Sequence, residues 1–479
     1  MPAREIRSFP AGEGGCAKPK RYIGQMREVT DWSAPNMQRV CSYLFVLLLV
    51  TAHTAGEILS CRGQPPPPHA EELRAAQQLA VAVDDRLAAS SHRAHAFESE
   101  RARAAAQRLP AVSVRGGYAL RSDEQAFDFA GSGLPLTDTR FPYRQRESAT
   151  LQARARMPLY TSGRIRSSIA AADATVRSAE LACEATRLDV MTAAGEAFVE
   201  VLRQQRLLAV RDASVRTLAR HAHDVRMAYE QGMATRNELL TANVRLSAAQ
   251  QELLQAQHAE DLAWSEYNRR LKRPLTYRTV LADPAVPPST GSFEDLVARA
   301  HRNRPEAVES TVRSQALRHR AEAHRRRRLP QVYAEGGLVF EENRYQAPEE
   351  IGYLGVVVDW EVWDGGISGH RQDAATERAL AAQRQQTEIA GLIEVEVRRA
   401  WLNLSEALSR LEATWTDIAQ SDENLRVVQQ LFREGMARSS EVLEAETISS
   451  ESRQRHFNAR YDAVLAEIEL ERAVGGNVH

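Results

Sequence analysis

The feature that most constrains this chain is an internal duplication. Arg108-Leu109-Pro110, followed by Gly116-Gly117, recurs at an offset of 220 as Arg328-Leu329-Pro330, followed by Gly336-Gly337. Leu159-Tyr160-Thr161-Ser162-Gly163 recurs at an offset of 203 as Val362-Trp363-Asp364-Gly365-Gly366. Ala197-Phe198 matches Ala400-Trp401, and Gly232-Met233-Ala234 matches Gly435-Met436-Ala437, at that same offset of 203. The spacing from Gly163 to Gly232 is therefore identical to that from Gly366 to Gly435. The interval from Gly117 to Gly163 is longer than its counterpart from Gly337 to Gly366, so the first repeat carries an insertion there. A repeat with one spacing held and another free predicts a fixed physical span and a loop tip that faces solvent.

Each repeat reads as helix, strand, loop, strand, long helix, turn, helix. Segment 164–231 has no proline and one interior glycine, Gly195. Ile165, Ile169, Ala172, Val176, Ala179, Cys183, Thr186 and Val190 follow one another in steps of four and three, a coiled-coil seam. The spacing predicts long helices over 164–231 and 367–434, each about 100 Å long at ~1.5 Å per residue. Return helices are expected over 237–272 and 439–473, and single helices over about 69–108 and 293–328. Repeat 1 then occupies 69–273, a linker rich in proline 274–292, and repeat 2 293–475.

Strands are expected at about 111–121, 146–160, 331–340 and 351–363. Val112, Val114, Gly116, Tyr118 and Leu120 alternate with Ser113, Arg115, Gly117, Ala119 and Arg121, and the other three strands alternate in the same way. Apolar on one side and polar on the other, over roughly ten residues, is the pattern of a barrel strand in an outer membrane. A soluble antiparallel sheet lying on a helix layer is the lesser alternative for the strands alone. Four strands close no barrel, and lipid tolerates no open edge, so closure needs several chains. Eight strands leave an interior filled by side chains, and twelve, from three chains, leave a lumen. Tyr160, Tyr333, Trp360 and Trp363 are candidates for an interfacial aromatic girdle.

Composition removes other classes. Lys+Arg is 62 and Asp+Glu is 63, for a net charge of −1. With no basic excess and no aromatic residues interleaved among basic ones, nucleic acid is not an expected partner. No apolar run reaches the ~18 residues of a transmembrane helix. Tyr43 to Val50 is a short apolar run preceded by Arg39 and followed by small residues. That is a secretory signal pattern, placing a signal region at 1–55, with Met37 as the expected start and Val50-Thr51-Ala52 as one cleavage site. A stiff spacer rich in proline follows at 56–68. Cys61 follows Ile58-Leu59-Ser60, loosely like a lipoprotein box, and is the candidate lipidation site. The four cysteines show no metal spacing. His221 and His223 are two apart on a helix and do not share a face, so no metal site is expected. No nucleophile elbow, cofactor loop or paired catalytic carboxylates are found, and no enzyme activity or cofactor is expected.

With its Leu-Pro strand entries, its Gly163 and Gly366 turns, Phe198 and Trp401 inside the long helices, and its two Gly-Met-Ala turns, the sequence resembles the TolC family of outer-membrane efflux and secretion channels. The match runs over about residues 69–475. The resemblance implies a mainly α protein with four strands per chain. It implies a homotrimer with a twelve-stranded barrel in the Gram-negative outer membrane, joined to an α-helical barrel that crosses the periplasm. It further implies a passive duct whose tips, Gly232-Met233-Ala234 and Gly435-Met436-Ala437, dock onto a periplasmic adaptor coupled to an inner-membrane pump. In such channels acidic residues past the second tip can ring the aperture, and the matching positions are Glu441 and Glu444, with Glu238 equivalent in the first repeat. The same glutamates also suit an ordinary helix start. Phe432 and Ala437 stand where some members use a Tyr and an Arg to latch the closed state, so a latch here must differ, and Arg438 is a candidate substitute. The competing reading is a periplasmic coiled-coil adaptor or scaffold without a barrel.

Overall fold

The computed structural model describes residues 70–130, 137–288 and 291–476. The signal region, Met37, the spacer and Cys61 lie outside the described residues. Helices α1 (Leu73–Val83) and α2 (Asp85–Ala106) lead into strand β1 (Ala111–Leu120). Strands β2 (Gln125–Asp128) and β3 (Arg140–Arg144) precede β4 (Glu147–Tyr160), followed by α3 (Arg164–Glu230) and α4 (Arg236–Arg270). The second repeat runs α5 (Phe293–Asn303), α6 (Pro305–Arg327), β5 (Gln331–Glu341), β6 (Glu350–Asp359), α7 (Ile367–Arg433) and α8 (Ser439–Val474). The long helices α3 and α7 are equal in length.

The two helices expected to be single are each broken, for local reasons. Asp84 has extended backbone, and its carboxylate accepts from the N–H groups of Arg86 and Leu87, which restarts the chain as α2. Pro305 at the first position of α6 cannot continue α5. The short helices then stack end to end beside the unbroken long ones. Lys272, past the end of α4, pairs with Asp85 at the start of α2. Arg472, near the end of α8, pairs with Glu306 at the start of α6 and with Asp189 of α3 at 2.6 Å. The helical layer therefore has four rows: α4 with α2, then α3, then α8 with α6, then α7.

Small residues let the rows approach. The main core joins α1, α3, α4 and α8 through Ala194, Ala197, Phe198, Val201, Trp264, Tyr267, Tyr461 and Ile468. Phe198 is fully buried and meets Tyr267 edge to face, with centroids 5.9 Å apart. Gly195 lies against Gln77 and Ile468, so that a Cβ there would stand 3.0 and 3.1 Å from them. A second core joins α5, α7 and α8 through Leu296, Ile393, Val397, Leu404 and Leu470. Trp401, at the duplicate of the Phe198 position, is only half-buried and packs on Phe293.

Among the described residues the main sheet has the order β1-β4-β5-β6, all antiparallel, and is open, with β1 and β6 as edges. Register puts Val112, Val114, Leu151, Leu338, Leu354, Val356 and Val358 on one exposed apolar face. The opposite face carries Arg154, Arg156, Glu335 and Asp359, with Arg154 3.1 Å from Glu335 and Arg156 paired with Asp359. Tyr333 belongs to this charged face, beneath the guanidinium of Arg156 at 3.9 Å, and so stands apart from the exposed Tyr160, Trp360 and Trp363. The fourth strand stops at Asp359, short of the expected Trp363, opposite Gln331, the first residue of its partner strand. The insertion in the first repeat is not simply a loop. It builds a second hairpin, β2–β3, with Phe127, Phe129, Phe141 and Tyr143 in mutual ring contact. Arg144 ties it to Glu341, and Asn343 donates to the Tyr143 carbonyl at 2.9 Å.

Two core substitutions report on this packing. Phe198→Ala is expected to cost about 3–5 kcal/mol by leaving a cavity. Gly195→Leu is expected to cost about 1–3 kcal/mol by forcing α1 and α8 off α3. Thermal unfolding followed by circular dichroism in detergent reads both, and an unchanged midpoint for either would contradict the packing described.

Candidate functional site at the helical tips

Both long helices end in the same way, because the same local chemistry is present twice. Gly232 and Gly435 adopt φ of +74° and +75°. The amide of Gly232 donates to the Tyr229 carbonyl at 2.9 Å, and that of Met233 to the Ala228 carbonyl at 2.8 Å. Gly435 donates to Phe432 at 3.0 Å and Met436 to Leu431 at 2.8 Å. These bonds satisfy carbonyls that the helix end orphans, and the left-handed glycine makes the reversal cheap. Met233 and Met436 are 74% and 65% exposed, so each turn presents an adaptable apolar side chain to solvent. Ala234 and Ala437 are half-buried behind them.

The return helices start differently. Thr235 and Glu238 form a reciprocal cap: Glu238 N–H donates to Thr235 Oγ1 at 3.2 Å, and Thr235 N–H donates to Glu238 Oε2 at 2.8 Å. At α8 the equivalent of Thr235 is Arg438, whose side chain has no acceptor. Only half of the cap survives there, with Arg438 N–H donating to Glu441 Oε1 at 3.2 Å. Glu444 is exposed one turn further on.

Electrostatics bring the two tips together at Glu238. Hydrogen bonds from the Thr235 backbone and hydroxyl hold its carboxyl below the usual range, and the Ser439 backbone and the Arg438 charge add to this. Arg438, in the turn before α8, thus lends its charge to Glu238 of the first tip. Phe432 does make a cross-helix contact, an aromatic one: its ring lies 5.0 Å from that of His221 at 62°. His221 Nε2 is 2.9 Å from Ser439 Oγ, and Asp224 is 3.6 Å from Arg433. Burial lowers the His221 pKa, with Asp224 and the Ser439 backbone opposing it. His223 is exposed, and no cluster that could hold a metal occurs among the described residues.

Sequence reasoning missed His221. Its signal is its place beside the stripe of Leu218, Ala222 and Val225, which puts a polar ring among residues that face another helix. One heptad earlier, Ser214 donates to the buried Glu446 of α8. Pairs 221 with 439 and 214 with 446 fall on one antiparallel register between α3 and α8.

The model of the outer membrane efflux protein family matches residues 76–266 and 296–476. The chain belongs to the outer membrane efflux protein family. Its two matched segments span the two repeats. The fold is similar to that of the outer-membrane channel OprN, with 19% identity and a TM-score of 0.72 over 85% of this chain and 90% of that one. VceC of Vibrio cholerae, an outer membrane protein, aligns at 15% identity and a TM-score of 0.71, over 85% of this chain and 97% of that one. The Campylobacter jejuni CmeC outer membrane channel aligns at 13% identity and a TM-score of 0.72, over 84% and 85%. Identities this low establish the fold. No curated protein sequence matches the chain significantly.

The tip glycines give a clean test. No atom lies within 4 Å of a Cβ built at Gly232 or Gly435, so alanine there meets only backbone strain. Each Gly→Ala change is expected to cost about 1–2 kcal/mol, and both tips should respond alike. Glu238 adds a pH dependence with a fixed sign. Its folded pKa is depressed, so its contribution is present above the unfolded pKa and is lost as pH falls through the folded one. Acid unfolding of Glu238→Gln should show a shallower loss of stability below pH ~4 than wild type.

Proposed function

We propose that the chain is a passive exit duct of a tripartite efflux or type I secretion system, crossing the outer membrane and periplasm of a Gram-negative cell and gated at its helical tips. The observation that carries this reading is the pair of unsatisfied flanks. In the sheet, β1 and β6 are open edges beneath a continuous apolar face. In the helical layer, the outer rows also expose apolar residues: Leu240, Val244, Leu254 and Leu262 on α4, and Leu392, Val395, Leu402 and Trp415 on α7. Unpaired backbone groups are costly in lipid, where no water replaces the missing partner. Head-to-tail pairing of β1 with β6, and of α4 with α7, of the next chain satisfies both flanks by one rotation, and such contacts close into a ring. Three chains make twelve strands, enough for an aqueous lumen lined by the Arg154, Arg156, Glu335 and Asp359 face.

In that ring, Glu441 and Glu444 form stacked carboxylate rings at the inner mouth, with Glu238 beside them. Such rings favour cations. Two of the three carboxylates also cap helices, so aperture and helix start are one piece of chemistry. The exposed Met233 and Met436 are the docking points for a periplasmic adaptor, through which an inner-membrane pump delivers cargo. Cys61 is the proposed lipid attachment, and the apolar sheet face contacts outer-membrane lipid. An adaptor or scaffold without a barrel leaves the dyad strands and their apolar face without a role.

Native mass spectrometry of detergent-extracted protein tests the assembly. A trimer is expected, and a monomer released without detergent would overturn the reading. Single-channel recording tests the mouth: Glu441→Gln with Glu444→Gln should lower the preference for cations, while unchanged selectivity would remove these residues from the aperture.

A further inference from the structure

We infer that His221 is the positioning residue that holds the second tip against the first, and that its protonation releases that tip. The inference rests on the gated-duct reading and names the device that sets the gate.

The argument is geometric first. One side chain of α3, only 5% exposed, reaches both other elements of the joint. It bonds Ser439, the first residue of α8, and packs its ring on Phe432 in the last turn of α7. The α8 start needs such help, because Arg438 offers no side-chain acceptor and the cap there is half made. The first tip has a complete cap of its own. His221 thus fixes where Glu441 and Glu444 stand relative to Glu238.

Charges around the ring come from every neighbouring element. Asp224 and Arg220 lie on α3, Arg433 on α7, Arg438 in the turn before α8, and Glu238 of α4 sits against the Ser439 amide. Asp224 favours the imidazolium but is shared with Arg433. Burial is the largest influence and keeps the ring neutral. A neutral imidazole has one donor and one acceptor and suits a hydroxyl and an aromatic face, whereas an imidazolium has two donors and a charge to solvate. The sign follows by linkage: a depressed folded pKa means that the separated tip binds more protons, so the joint weakens as pH falls through the folded value. Glu446, one heptad deeper, works the other way. Burial raises its carboxyl, and acid removes a buried charge there. Release is therefore confined to the tip layer.

Hydrogen–deuterium exchange on the full chain in detergent, corrected for intrinsic rates, reads the joint at pH of about 7.5 and 5.5. In wild type, peptides covering 225–240 and 430–445 should lose several-fold protection at the lower pH, while the core around Phe198 keeps its protection. His221→Gln, which keeps a hydrogen bond to Ser439 but cannot take a charge, should lose this response. Equal tip protection at both pH values in wild type overturns the inference, and so does an undiminished response in His221→Gln. Should that variant not fold, the wild-type titration still decides. Bilayer conductance on the same preparation separates the two levels: no conductance at any pH sinks the duct reading, whereas a conducting channel without tip loosening sinks only the role of His221.

Discussion

The antiparallel seam between α3 and α8 is the interaction on which the rest of the structure depends. It joins the two repeats in the helical layer, as β4 with β5 joins them in the sheet. The seam changes character along its length. Around Phe198 and Ile468 it is dry and built from aromatic and branched residues. Towards the tips it becomes polar, with Arg203 2.8 Å from Asp462, Arg211 2.8 Å from Gln454, then Ser214 with Glu446 and His221 with Ser439. A dry seam holds by area and fails by a cavity or by overpacking. A buried polar seam holds by matched donors and acceptors, and a single proton can unmatch it. The apolar and the polar ends of the seam thus follow from which side chains occupy one helix face.

The family and the mainly helical architecture were legible in the sequence because they rest on repeats and periodicity. Equal glycine spacings have their counterpart in two long helices of equal length. What was not legible depended on single side chains. The break at Asp84 needs a capping carboxylate read against a strongly helical background. The end of β6 falls opposite Gln331, where the partner strand begins, a position far from β6 in sequence. Alternation sets Tyr333 with Glu335, against its candidacy as an interfacial aromatic, but its place beneath Arg156 of another strand is not in the pattern. Hairpin β2–β3 is short, and proline interrupts its second strand, which weakens the alternation that strand recognition uses.

At the tips, the sequence pointed to the acidic and glycine positions but not to what organises them. Glu238 and Glu441 read equally well as aperture residues and as helix starts, and the structure uses both as caps. His221 was visible only as half of a pair with His223, a pairing that helix geometry rules out. Its actual partners, Phe432 and Ser439, belong to the other repeat, and no local pattern connects them to it.

The duplication makes the differences between repeats informative, since each position has its own control in the same chain. Phe198 is fully buried and Trp401 only half, so the first long helix is clamped on more sides than the second. Thr235 completes a cap that Arg438 cannot. α3 lies between two rows of the layer, and α7 lies at its flank. For the long helices the contrasts assign more constraint to the first repeat, and for the return helices to the second, since α8 lies between two rows and α4 at a flank. On the gated-duct reading proposed above, His221 of the α3–α4 hairpin sets the resting place of the α7–α8 hairpin from outside it.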